Sequence, residues 1–274
     1  MSTTIAVAGK GGTGKTIVSA VLAKLLTRKG TVLAIDADPS MNLYMALGMD
    51  MPDSIGDIRE SLTATSQTST RPAGMGLHDY ISFSVRQTLV ESPSLDLMAM
   101  GRPEGPGCYC AANHALRVAI DHIADSYDYV VIDNEAGMEH ISRQTTRDVD
   151  ILLLVSDPTI RGVTAAGRAQ ELLREIRTQV GQIYLVLNRV QGAIPPAVEK
   201  EILARGLSLL AVIPSDDSVR ELDSRGRPMV ELPPDSPVQR MVRKLAHELG
   251  LVTLDEPIEA VSPSASLRKG AEKP

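Results

Sequence analysis

Short β-branched apolar runs alternate along the chain with stretches whose apolar residues recur at helical spacing. Runs near residues 4–8, 31–35, 95–100, 129–132, 151–155, 183–187 and 209–213 read as strands. This alternation predicts an α/β fold, a mostly parallel sheet flanked by helices. The first helix is expected from about Gly14 to Arg28, with Ile17, Val21, Leu22, Leu25 and Leu26 along one face. A last helix is expected where Val238, Met241, Val242, Leu245 and Leu249 recur, with Arg240, Arg243 and Lys244 between them. It reads as packed on the sheet rather than lying on a membrane surface, because acidic and neutral residues also sit nearby. Residues 64–76 break the rhythm with Ser, Thr, Pro and Gly and read as an exposed loop. One domain is expected over residues 1–250, followed at 251–274 by a tail without apolar periodicity that reads as disordered.

The first strand runs into Gly9-Lys10-Gly11-Gly12-Thr13-Gly14-Lys15-Thr16. These residues fit G-x-x-x-x-G-K-[ST], and they stand between an apolar run and a helical pattern, the context in which that spacing binds phosphate. The glycines let the backbone curl until consecutive N–H groups point into one concavity, and the helix that follows adds its positive end. Lys15 is placed to reach the β- and γ-phosphates and the Thr16 hydroxyl to ligate Mg²⁺. Tyr129-Val130-Val131-Ile132-Asp133 reads as a buried strand ending in an acid, with Asp133 expected to hold Mg²⁺ through water. Residues 134–140 follow as a second switch, in which Gly137 is free to change its backbone angles when the γ-phosphate is lost. Ile35-Asp36-Ala37-Asp38-Pro39 ends the second expected strand, where carboxylates face the ligand crevice of an open α/β sheet. The chemistry expected is phosphoryl transfer to water, carried by alignment and charge neutralisation.

Lys10 discriminates further, since an ordinary phosphate loop does not need it. K-G-G-x-G-K-T resembles the deviant-Walker loop of the SIMIBI-type P-loop NTPases: the nitrogenase iron protein, MinD, ParA and the metallocentre maturation ATPases. The resemblance implies ATP as the nucleotide and a homodimer in which Lys10 crosses to the partner's nucleotide. It implies that Asp38 positions or activates the attacking water, with Asn42 in the same loop, so that Lys10, Lys15 and Asp38 form the catalytic set. It also implies that Asn188, beside Arg189, reads the purine edge, and that Pro214 lies with Asp216 and Asp217 in the loop closing over the base. Those positions join residues 9–16 in the nucleotide-binding set, while Thr16 and Asp133 form the Mg²⁺ pair.

Both cysteines lie in Gly101-Arg102-Pro103-Glu104-Gly105-Pro106-Gly107-Cys108-Tyr109-Cys110. Glycines and prolines make an irregular loop that exposes the thiols, and the helix expected from Ala111 favours thiolate. One chain offers two thiolates, too few for a closed tetrahedral site, whereas a twofold dimer offers four. Soft thiolates suit Ni²⁺, Zn²⁺ or Cu⁺ over Mg²⁺. The block G-R-P-E-G-P-G-C-Y-C, with D-N-E-A-G-M-E-H-I-S-R, resembles the CooC-type nickel-insertion ATPases of carbon monoxide dehydrogenase and acetyl-CoA synthase maturation. That resemblance covers about residues 1–250. It implies an ATP-hydrolysing nickel chaperone with Cys108 and Cys110 as metal ligands, Ni²⁺ as cargo with Zn²⁺ as the alternative, and one of those two enzymes as client. The chain departs from the pattern at Ala111-Ala112-Asn113-His114 and in its tail. Two other readings stand beside it. A MinD/ParA-type positioning ATPase would need a basic surface or a stronger amphipathic terminus and no paired cysteines. An iron–sulfur electron-donor ATPase would carry ligands far apart in sequence.

Composition narrows the classes. Aromatic residues are 3% of the 274, with Trp 0 and Phe 1, so the core is expected to be aliphatic and base stacking on nucleic acid is disfavoured. Net charge is −6 without a run of lysines or arginines, which disfavours nucleic acid as a partner. No apolar segment approaches the ~18 residues of a membrane span, and no signal peptide is expected ahead of the first strand, so the cytoplasm is the expected compartment.

Overall fold

The computed structural model describes residues 2–58, 75–101, 111–136, 149–175 and 180–254. All seven expected strands form: β1 (Thr3–Gly9), β2 (Val32–Ala37), β3 (Leu95–Ala99), β4 (Tyr129–Ala136), β5 (Val149–Ser156), β6 (Val180–Val190) and β7 (Leu209–Pro214). They make one sheet in the order β3-β2-β4-β1-β5-β6-β7, and every neighbouring pair is parallel. All carboxyl ends therefore emerge at one edge, with β1 in the middle, where an open α/β sheet places its ligand crevice.

The helices are α1 (Lys15–Leu26), α2 (Leu43–Leu47), α3 (Leu77–Gln87), α4 (Ala111–Ala124), α5 (Ile160–Glu175), α6 (Pro196–Ala204), α7 (Asp217–Ser224) and α8 (Pro237–Glu248). They cover both faces of the sheet, which is why its strands read as continuous apolar runs. Alternate strand residues go to opposite sides. Ile5, Val7, Leu153 and Val155 pack with α1, α2 and α8. Ala6, Ala8, Leu152 and Leu154 pack with Ile81 and Val85 of α3, Leu116 and Ile120 of α4, Val163 and Leu173 of α5, and Val198 and Ile202 of α6. The core is aliphatic, as the composition requires.

The last helix packs as its spacing predicts. Ser236 caps α8 by accepting from the Gln239 N–H at 3.1 Å, and Val238, Val242, Leu245 and Ala246 bury their side chains against β7 and α1. The apolar face that a membrane would require is already covered. No helix among the described residues is long and apolar enough to cross a membrane.

Two strands run three or more residues past an expected limit. β4 continues to Ala136 and β6 begins at Val180. β4 lies between β1 and β2, and pairing with both at Asp133 and with β2 at Asn134 keeps the backbone extended although these side chains are polar. At the start of β6, Gly181 and Gln182 are poor strand formers, yet pairing with β5 holds them. Of residues 64–76, only 75 and 76 are described.

Candidate nucleotide site

β1 hands the chain to the phosphate loop between β4 and β5. Gly9 has φ 144°, and a Cβ there would stand 2.1 Å from the Val155 carbonyl oxygen. Only glycine fits without moving β5. Gly14 has φ 91° and begins α1 without a side-chain cap, so the leading N–H groups of the helix stay free for an anion. Thr13 Oγ1 donates to the Lys10 carbonyl at 2.9 Å, and Lys15 Nζ lies 3.5 Å from the same oxygen. Lys15 is 7% exposed and has no ion-pair partner among the described residues. A buried ammonium whose one partner among the described residues is a distant carbonyl is a place for phosphate charge. Lys10 itself is exposed, and so are Gly11 and Gly12.

Asn188 reaches this loop from the end of β6. It is buried, its Nδ2 donates to the Thr13 carbonyl at 2.8 Å, and its Oδ1 accepts the Arg189 N–H at 2.9 Å. Arg189 is exposed and takes φ 60°. Among the described residues, one amide N–H and one lone pair of Asn188 have no partner. Its hold on the phosphate loop is a duty that its sequence position does not announce. Pro214 is exposed at the end of β7. Beyond it, Asp216 takes on a structural task, accepting from the Ser218 N–H at 2.9 Å and the Val238 N–H at 3.2 Å, and so tying α7 to α8. Asp217 pairs with Arg220 at 3.2 Å.

The cation side of the site is built on Asp133. Thr16 Oγ1 donates to its Oδ2 at 2.6 Å, and Ser19 Oγ donates to its Oδ1 at 3.0 Å. Burial pushes the Asp133 carboxyl up to about 7, the Thr16 hydrogen bond opposes this, and the nearby Asp36 charge adds to it. Asp36 is the register partner of Asp133 on the adjacent strand. The two sequence-expected Mg²⁺ groups, Thr16 and Asp133, are therefore in contact. A half-buried hydroxyl beside a buried carboxylate, both hard oxygen donors, suits Mg²⁺.

Asp36 and Ser19 were not singled out by sequence reasoning. Asp36 is 2% exposed. Its Oδ1 accepts the Asp38 N–H at 3.0 Å and its Oδ2 the Leu43 N–H at 2.8 Å, so one carboxylate staples both ends of the loop that carries Asp38. Burial lifts its carboxyl to about 6, with the two amide hydrogen bonds opposing. Asp38 lies half-buried and Asn42 exposed in that loop. Ser19 follows Thr16 by three residues, so helical spacing alone could have placed it on the same face. Asn134 was named only as the start of a switch. It is 1% exposed, donates to the Val7 carbonyl at 3.1 Å, and sits where the β1–β4 register shifts between Val7 and Gly9.

Cys108 and Cys110 lie outside the described residues, as does the second switch beyond Ala136. What is described is where their flanks stand. Gly101 closes the carboxyl end of β3, the edge strand of the sheet, and α4 begins at Ala111.

A parallel sheet with a glycine loop feeding α1, a buried lysine and a threonine–aspartate pair defines a P-loop NTPase. Residues 4–229 match the CbiA family, described as the CobQ/CobB/MinD/ParA nucleotide binding domain, and the chain belongs to that family. It is an ATPase of the MinD/ParA kind. An uncharacterized ATP-binding protein of Methanocaldococcus jannaschii is 39% identical over 246 residues, covering 89% of this chain and 97% of the relative. The carbon monoxide dehydrogenase accessory protein CooC of Rhodospirillum rubrum is 31% identical over 275 residues, covering 94% and 99%. Among solved structures, the cell division ATPase MinD of Pyrococcus furiosus superposes with TM-score 0.64 at 28% identity, covering 91% of this chain and 99% of that one.

Proposed function

We propose that this ATPase is a nickel chaperone that matures a nickel enzyme, carbon monoxide dehydrogenase or acetyl-CoA synthase, through a homodimer formed under nucleotide and metal control. The observation that carries the reading is the block G-R-P-E-G-P-G-C-Y-C, set in a chain that aligns over nearly its whole length with a carbon monoxide dehydrogenase accessory protein. In this reading residues 9–16 bind the β- and γ-phosphates of ATP, Lys15 neutralises them, and Lys10 reaches the partner's nucleotide. Thr16 and, through water, Asp133 hold Mg²⁺, which supplies charge neutralisation at the phosphates when bound. Asp38 orients the attacking water, while Asn188, Arg189 and Pro214 surround the base. Cys108 and Cys110 of two chains take up Ni²⁺ as cargo, with Zn²⁺ as the competing metal. The domain spans residues 1–250, residues 251–274 are a tail, and the protein works in the cytoplasm.

A MinD-type positioning role has support from the fold likeness to MinD. Against it stands α8, whose apolar face is buried on the sheet. Metal analysis of protein purified without chelator separates the two readings. Nickel or zinc bound to the wild type and lost in Cys108→Ala supports the chaperone. No metal in either leaves the positioning reading in its place.

A further inference from the structure

Within the proposed reading of Asp38 as the group that orients the attacking water, the loop after β2 also carries the residue that holds this carboxylate. Ser40 stands two residues beyond Asp38, and both of its donors meet the same carboxylate oxygen. The Ser40 N–H donates to Asp38 Oδ1 at 2.9 Å, and the Ser40 hydroxyl also donates to Oδ1. Among the described residues, Asp38 Oδ2 has no partner. The rest of the loop is fixed around this contact. Asp36 holds the Asp38 and Leu43 amides from below, and the Met41 N–H donates to the Asp38 carbonyl at 2.9 Å. Met41 takes φ 48°, a left-handed conformation uncommon for a residue with a side chain.

We propose that Ser40 is a positioning residue for hydrolysis: it occupies Oδ1 of Asp38 with two donors and so presents Oδ2 alone to the attacking water. An unheld aspartate on an exposed loop turns about χ1 and χ2, and its two oxygens interchange. With Oδ1 tied at both the backbone and the side chain of one residue, the rotor is stopped and the lone pairs of Oδ2 have a fixed direction. The backbone donor survives any substitution at position 40 other than proline. The hydroxyl is the removable half of the clamp. Alignment of the nucleophile is a large part of catalysis in this chemistry, so loosening the clamp acts on the rate and leaves nucleotide binding alone. A bare Asx turn, by contrast, would make the hydroxyl dispensable.

The test uses full-length Ser40→Ala, Ser40→Thr and Asp38→Ala, each assayed for steady-state phosphate release with Mg²⁺–ATP and for ATP affinity by equilibrium dialysis. Losing one charge-assisted hydrogen bond predicts a kcat about tenfold lower in Ser40→Ala, with ATP affinity within about twofold of wild type. Ser40→Thr, which keeps the hydroxyl, restores most of kcat. Unchanged kcat in Ser40→Ala, a loss that falls on ATP affinity, or a Thr variant as slow as the Ala variant each overturns the proposal. Asp38→Ala separates the two levels. If it hydrolyses ATP at the wild-type rate, the reading of Asp38 itself is wrong. If it is slow while Ser40→Ala is not, the role of Ser40 alone is wrong.

Discussion

The phosphate loop after β1 and the loop after β2 leave the same edge of the sheet two strands apart, and they are held in opposite ways. The first is specified by its backbone. Gly9 can be nothing larger because Val155 stands against it, and Gly14 takes a φ that favours glycine. The second is specified by side chains. One buried carboxylate, Asp36, accepts an amide from each end of it, and Ser40 fixes the acid it carries. A backbone-built loop presents amides of constant geometry to phosphates, which every nucleotide state shares. A loop hung on one carboxylate can be released and reset, which suits the role proposed for Asp38 beside the γ-phosphate.

Substitutions can break this contrast, and the largest effect is expected at the charge the phosphate loop supplies. Lys15→Ala should abolish hydrolysis, because the γ-phosphate loses its nearest cation. Phosphate release at the wild-type rate would remove the loop from the chemistry.

Next comes the steric demand. Gly9→Ala should lower stability by about 3 kcal/mol or more, since the new methyl meets backbone rather than a movable side chain and the φ is strained for alanine. A thermal midpoint equal to wild type would show that the loop is not backbone-specified.

Asp36→Ala acts on the other loop. It leaves two amides without their acceptor, and we expect kcat to fall about tenfold with ATP affinity nearly unchanged. A fall in affinity with constant kcat would place Asp36 among the phosphate-loop supports instead.

A separate test of the site is the pH dependence of stability. The Asp133 carboxyl has an ordinary value of 3.8 and is raised to about 7 by burial. Between those values the folded protein holds the proton more tightly than the unfolded chain. The stability this group contributes is therefore full below about pH 4 and is lost as pH rises through about 7. Asp133→Asn stays neutral throughout. In Mg²⁺-free buffer its thermal midpoint should gain on wild type between pH 5 and pH 8, and a gap independent of pH would contradict the burial account.

The same contrast explains what was legible in the sequence. Strand positions, the phosphate loop and the packed last helix follow from local periodicity and from glycine spacing, both of which are written in consecutive residues. Thr16 and Asp133 are 117 residues apart, yet each sits in a recognisable local context, so their pairing was foreseeable. Asp36 was not, because an acid in a strand gives no local sign of which amides it will accept. The dual engagement of Asn188 with Thr13, 175 residues away, depends on where β6 ends relative to α1, which only the sheet order decides. The extension of β4 past Asp133 was invisible for a related reason: hydropathy reports side chains, whereas strand pairing is a property of the backbone.

The central claim is that an ATPase of this family carries nickel on thiolates shared between two chains. Equilibrium dialysis of the full chain against Ni²⁺, with light scattering to give the mass of the loaded species, tests it most directly. The account predicts one tightly held metal per two chains, a dimer when loaded, and loss of tight binding in both Cys108→Ala and Cys110→Ala, because two remaining thiolates cannot close a tetrahedral site. One tightly held metal per monomer, or binding untouched by loss of both cysteines, would contradict it.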